Sequence, residues 1–213
     1  PPPMHTIQTL CNSNLNRGLG KPLKQAARNA PLRRLVALIS KALSAETVLT
    51  AKRPSSSLSD SRHLEELLAK RVSRLHSRYF SSEGAGKCYG TRGGYPYFKP
   101  NGWLRFAVAS DKAMLRSWPV AYHGTSVQRA LLILAEGLKL PASKAEVAHG
   151  QAYSKKKPAI YVSPSSEYAA FPVYSQLLEV EDNTWLQALL QVRVRPGKFT
   201  SHPASLRGKK YWE

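Results

Sequence analysis

The sequence predicts an α+β fold: a small sheet core with short helices, preceded by a basic, partly helical N-terminal segment. Three observations lead there. From Gly94 onward, short apolar runs are separated by turn residues and studded with aromatics, as in "GGYPYFKPNGWLRFAV". One stretch, "VQRALLILAEGL", carries Val127, Leu131, Leu134 and Leu138 on a single helical face. Late in the chain "LLQVRVRPG" alternates, with Leu190, Val192 and Val194 on one side and Gln191, Arg193 and Arg195 on the other. Across 213 residues, 42% hydrophobic content suffices for a packed core.

Residues 1–60 read as a basic arm or targeting segment without a fixed fold. Arg17, Lys21, Lys24, Arg28, Arg33, Arg34 and Lys41 all precede the first acid, Glu46. An acid-free, Arg-bearing leader is similar to an organelle transit peptide, equally suits a nucleic-acid-binding arm, and is as often a solvated leader with neither role. The opening "PPPM" reads as the interior of a longer chain. "AKRPSSSLSDS" is a Ser-rich linker. Residues 61–93 then read as a helix and a Gly-rich linker: Leu64, Leu67, Leu68, Val72 and Leu75 recur at helical spacing through "SRHLEELLAKRVSRLHSRYF", with Ser61 as cap. His63 and His76 on that helix read as surface residues.

Residues 94–213 read as the main domain, cut short at its C-terminus. Tyr95, Tyr97, Phe98, Trp103 and Phe106 are interleaved with Lys99 and Arg105, close after Arg92, a pattern that can stack single-stranded bases but more often forms the core and edge of a small sheet. "PVAYHG" reads as a strand entering a turn, Ser126 as a helix cap and Gly137 as its stop. Residues 139–158 form a long Lys- and Ser-bearing connection, of a length that makes either a functional lid or a disordered segment. "AIYVSPSSEYA" reads as a strand to Pro164 and a helix from about Ser165. Gln191, Arg193 and Arg195 read as a solvated strand face.

The net charge is +19, with 16 Lys and Arg against 5 acids in residues 1–93 and 16 against 8 in 94–213. So basic a surface favours a polyanionic partner: nucleic acid, anionic lipid or acidic protein. Cys11 and Cys88, the two cysteines, make no disulfide framework and no zinc spacing, which suits a reducing, intracellular setting in nucleus or cytoplasm, and no metal is expected. The apolar runs "LVALI" and "ALLILA" are too short to span a bilayer.

Three stretches carry a family likeness. "YHGTS", nine residues and then "EGL" resembles the first motif of the ADP-ribosyltransferase fold in its poly(ADP-ribose) polymerase-like branch. "AIYVSPSSEYAAFPVY" is similar to that branch's tyrosine-bearing strand and following helix, and "LLQVRVRPGKFT" to its next core strand. With "YPYFKPNGWLRF" and "WPVAYHGT", the run from about Gly94 is most similar to the transferase-like domain that accompanies neuralized-type repeats. The basic arm has no part in the likeness.

The resemblance implies an ADP-ribosyltransferase-like split β-sheet core and NAD+ as co-substrate, without a metal. It implies that His123 bonds the adenosine ribose, that Gly124 clasps the nicotinamide amide through its backbone, and that Thr125 supports the turn or the ribose. It implies Tyr161 stacked on nicotinamide, with Ser163 and Ser165 bonding the amide or a ribose. Tyr168 and Tyr174 then supply a second stacking face or pack the helix. Lys155, Lys156 and Lys157 are either a solvated loop or a grip on the diphosphate or an acidic acceptor. The third motif in that family is typically a glutamate, and Glu213, after Trp212 at the end of "GKKYWE", is the one acid beyond Asp182: either it is that glutamate on a truncated strand, or the strand is missing. The expectation is an NAD-dependent mono-ADP-ribosyltransferase acting on a protein or nucleic-acid acceptor, slow in turnover. An RNA 2′-phosphotransferase-like enzyme and a catalytically degenerate binding module are the alternatives. On the bland reading the HGT triplet is a turn with a cap and Tyr161 is core.

Overall fold

The computed structural model describes residues 9–12, 66, 72–80, 84, 86–108, 117–140, 159–181 and 184–201. Their elements run β1 (Thr9–Asn12), β2 (Val72–Tyr79), β3 (Cys88–Arg92), β4 (Tyr95–Phe98), β5 (Leu104–Val108), β6 (Val120–Thr125), α1 (Val127–Glu136), α2 (Ser166–Ala169), β7 (Leu178–Glu181) and β8 (Thr184–Arg193). Antiparallel strands with few helices give an α+β region.

β8 organises the largest sheet. β1 lies along one edge, opposite Leu186 to Leu189. The other edge changes partner: β6 pairs with it from Ala188 to Arg193, and β7 from Thr184 to Leu186. β8 is therefore covered on both faces. Ala188, Leu190 and Val192 pack with Val127, Ala130, Leu131 and Leu134 of α1, while Leu189 packs with Tyr122, Tyr97, Trp103 and Ala169. Burying each large α1 side chain contributes about 1.5–3 kcal/mol, so this face anchors the helix. The caps fall where the sequence puts them. Ser126 Oγ accepts from Arg129 N–H at 3.3 Å, and Gly137 N–H closes on Ile133 O at 2.8 Å.

This arrangement overturns the solvated strand face. Gln191 is buried, and Arg193 is half-buried with a guanidinium N–H donated to Trp118 O at 2.8 Å; of that trio Arg195 alone is exposed. Strict alternation marks two faces, but it does not reveal whether a second apolar layer covers the polar one.

The helix expected through residue 80 also gives way. Val72–Tyr79 is a strand, antiparallel to β5, with Val72 opposite Val108 and Tyr79 opposite Leu104. Long-range pairing overrides a local helical spacing. β3 and β4 form a tight hairpin whose loop, Gly93–Gly94, has φ of 59° and 82°. Two successive positive φ values match the right-handed twist of the strands and favour glycine at both positions. The aromatics of this region divide between core and edge: Tyr97, Trp103 and Phe106 are buried, and Tyr95 and Phe98 are half-buried. No helix among the described residues is long and apolar enough to cross a membrane.

Candidate functional site

His123, Gly124 and Thr125 are the last residues of β6, opposite Leu190, Leu189 and Ala188, so the triplet is strand and not turn. Alternation then separates their surroundings. His123 lies on the α1 side with Leu190, and the Cα of Gly124 faces the α2 side with Leu189. Thr125 is buried at the strand end.

The chain expected to form a whole strand from Ala159 contributes a single bridge. Tyr122 and Ser163 exchange both backbone bonds, at 2.7 and 2.9 Å. Because Tyr122 turns its N–H and C=O toward Ser163, Gly124 two residues on turns its own toward the same edge. There the next rung, Gly124 with Tyr161, is not formed. Gly124 N–H and C=O make no bond to the backbone of residues 159–163. The carbonyl of Tyr161 accepts instead from His123 Nδ1–H at 2.8 Å.

That bond also fixes the histidine. A carbonyl only accepts, so Nδ1 carries the proton and neutral His123 presents Nε2 as an acceptor. Burial holds its pKa below the ordinary value of 6.5; the nearby Arg129 charge acts in the same direction, and the Tyr161 bond opposes them. The imidazole is neutral near pH 7.

α2 closes the other face of Gly124. A Cβ there would collide with Ala169 O, which no side chain avoids by changing rotamer, and would sit 3.1 Å from Tyr174 Cβ. Ser165 caps α2 by accepting from Tyr168 N–H at 3.2 Å, and Ser163 Oγ accepts from Ser165 N–H at 3.1 Å. Both serines thus shape the turn, and each keeps a hydroxyl proton to donate. Tyr168 is buried and stacks on half-buried Tyr174, with ring centroids 5.4 Å apart and hydroxyls 3.1 Å apart. In this conformation the pair packs α2. Tyr161 is half-buried, and its phenol oxygen is out of solvent without a hydrogen-bond partner among the described residues.

Sequence reading missed the groups that place this turn. Buried Gln187 donates to Ala170 O at 3.0 Å and Ser175 O at 2.8 Å, and fully buried Ser175 donates to Ala188 O at 2.8 Å. They pin residues 170–175 where β8 changes partner from β7 to β6. A lone glutamine inside the apolar run "WLQALL" was the available signal. Tyr122, also fully buried, ties β6 to β4 by donating to Phe98 O at 2.6 Å, and burial, first of several causes, raises its pKa well above 10.

His123, Gly124, Thr125, Tyr161, Ser163, Ser165, Tyr168 and Tyr174 are thus gathered around one end of β6. Glu213, Lys155, Lys156 and Lys157 lie outside the described residues, as do residues 1–8 and 13–60 of the basic arm. Among the described residues no group of three or more His, Cys, Asp or Glu could hold a metal ion. No protein-family model, curated protein or solved structure matches the chain.

Proposed function

We propose that the chain is an NAD-dependent mono-ADP-ribosyltransferase that moves ADP-ribose to a protein or nucleic-acid acceptor and releases nicotinamide. One observation carries the reading: a neutral, oriented imidazole adjoins a glycine whose peptide N–H and C=O face the sheet edge where, among the described residues, the ladder stops beside Tyr161. A primary carboxamide offers one acceptor and two donors, the complement of that edge. His123 Nε2 accepts from a ribose hydroxyl, and Tyr161 offers an aromatic face for a flat cationic ring. Gln187 and Ser175 act through the 170–175 turn as positioning residues. NAD+ supplies an anomeric carbon with nicotinamide as its leaving group; the chain holds that group and the ribose at fixed places. The carboxylate that stabilises positive charge on the ribose is assigned to Glu213.

The test is incubation of the full chain with NAD+ labelled in its nicotinamide. Slow release is expected, and Glu213→Gln abolishes it while affinity stays nearly constant. A second reading, a non-catalytic NAD-binding module, is favoured by the Tyr168–Tyr174 stack, which occupies both rings with each other. Saturable binding with no release selects it.

A further inference from the structure

Away from the β6 edge, the β3–β4 hairpin and the turn after β8 form a surface that the NAD reading does not use. Residues 84–108 contain Lys87, Arg92, Lys99 and Arg105, residues 184–201 contain Arg193, Arg195 and Lys198, and neither segment contains an acid. The described acids Glu66, Glu136, Glu167, Glu179 and Glu181 all fall elsewhere in the chain.

The fold brings the two segments together. Gly93 at the hairpin tip is packed so closely on the Trp118–Pro119 backbone that a Cβ would collide with it. Pro119 O in turn accepts from Val194 N–H at 3.1 Å. Tyr95 of the hairpin meets Phe199 edge to face, with ring centroids 5.5 Å apart. Lys87, Arg92, Arg195 and Lys198 are exposed, while Tyr89, Tyr95 and Phe199 are half-buried. Two cations already lie on rings: the Lys99 ammonium is 3.5 Å from the Tyr89 centroid and the Arg92 guanidinium 5.3 Å from that of Tyr97. Arg193 has its pKa lowered, chiefly by burial, and Arg92 adds to this as a like charge while Tyr97 opposes it.

We infer that this hairpin-and-turn face binds single-stranded nucleic acid, with Arg92, Arg195 and Lys198 on phosphates and the rims of Tyr95 and Phe199 against bases. Exposed cations on two segments that carry no acid of their own attract the backbone and release its counterions, and aromatic rims take unstacked bases that a duplex withholds. Acidic protein would satisfy the charges but leave the rings without a role. The inference is independent of NAD binding.

Anisotropy of a fluorescent oligouridine, titrated with the full chain at several salt concentrations, tests it. Each phosphate contact contributes about 0.7 to the logarithmic salt slope, so Arg92→Gln/Arg195→Gln/Lys198→Gln lowers the slope by about 2 even though the basic arm remains. Phe199→Leu weakens the single strand by about tenfold and leaves duplex affinity unchanged. Photocrosslinking of a thiouridine oligomer to the unmodified chain, which needs no variant to fold, places adducts within residues 88–99 or 193–199. Crosslinks confined to residues 1–60, a slope unmoved in the triple variant, equal affinity for duplex, or binding to anionic vesicles with none to oligouridine would each overturn the inference.

Discussion

Replacing Gly124 by alanine plants a methyl group in the backbone of α2. The nearest atom is Ala169 O, followed by Ala169 C at 3.0 Å and Tyr174 Cβ at 3.1 Å. Overpacking costs about 1–3 kcal/mol where side chains give way. Here the first two obstacles are backbone atoms of a helix whose following turn is bonded to β8 through Gln187, so the upper end applies. For a chain of this size about 3 kcal/mol corresponds to a melting temperature lower by roughly 6–12 °C. Differential scanning calorimetry reads it. A diagnostic second variant separates this cause from a general loss of packing: because the collision is with a carbonyl, Ala169→Gly in the Gly124→Ala background restores nothing. An unchanged melting temperature in Gly124→Ala, or rescue by Ala169→Gly, would refute the argument that α2 sits on the glycine through its backbone.

Four further outcomes are expected. Tyr161→Phe removes a buried hydroxyl without a partner among the described residues, so thermal unfolding shows stability unchanged or up to about 1 kcal/mol higher, whereas Tyr161→Ala loses NAD affinity in calorimetric titration. Gln187→Leu strands two carbonyls in the interior and costs about 2–4 kcal/mol in denaturant unfolding, with nicotinamide release falling alongside. Tyr122→Phe leaves Phe98 O without its 2.6 Å donor and costs about 1–3 kcal/mol in the same assay. His123 has a folded pKa below its ordinary 6.5, so the unfolded state binds more protons between the two values. Its contribution to stability is complete above pH 6.5 and is lost as pH falls through the folded value; His123→Gln flattens that slope in pH-dependent melting.

Local signals were legible and long-range ones were not. Ser126 and Gly137 bound α1 as read, because a cap is decided within one turn of the chain. Val127, Leu131 and Leu134 are core as read, because a single helical face reports its own burial. The spacing of Leu64 to Leu75 runs on past the start of β2 by coincidence, and only pairing with β5, some thirty residues later, makes Val72–Tyr79 a strand. Burial of Gln191 depends on the Tyr97–Trp103 layer, which alternation within "LLQVRV" does not encode. In the candidate site the motif residues were visible as types, and the fold gathers them around one end of β6. Their geometry was not visible: the ladder stops at the Tyr122–Ser163 bridge and Tyr161 O accepts from His123, and nothing in "YHGTS" or "AIYVS" announces which rung is missing.

NAD+ is the ligand proposed for this sheet edge. Calorimetric titration of the full chain with NAD+, run beside His123→Ala, tests it most directly. Saturable one-to-one binding that stabilises the fold by mass action is expected, and so is its loss in His123→Ala while circular dichroism stays unchanged. Absence of heat and of any thermal shift at millimolar NAD+ with a folded chain, or undiminished affinity in the folded His123→Ala variant, would contradict it.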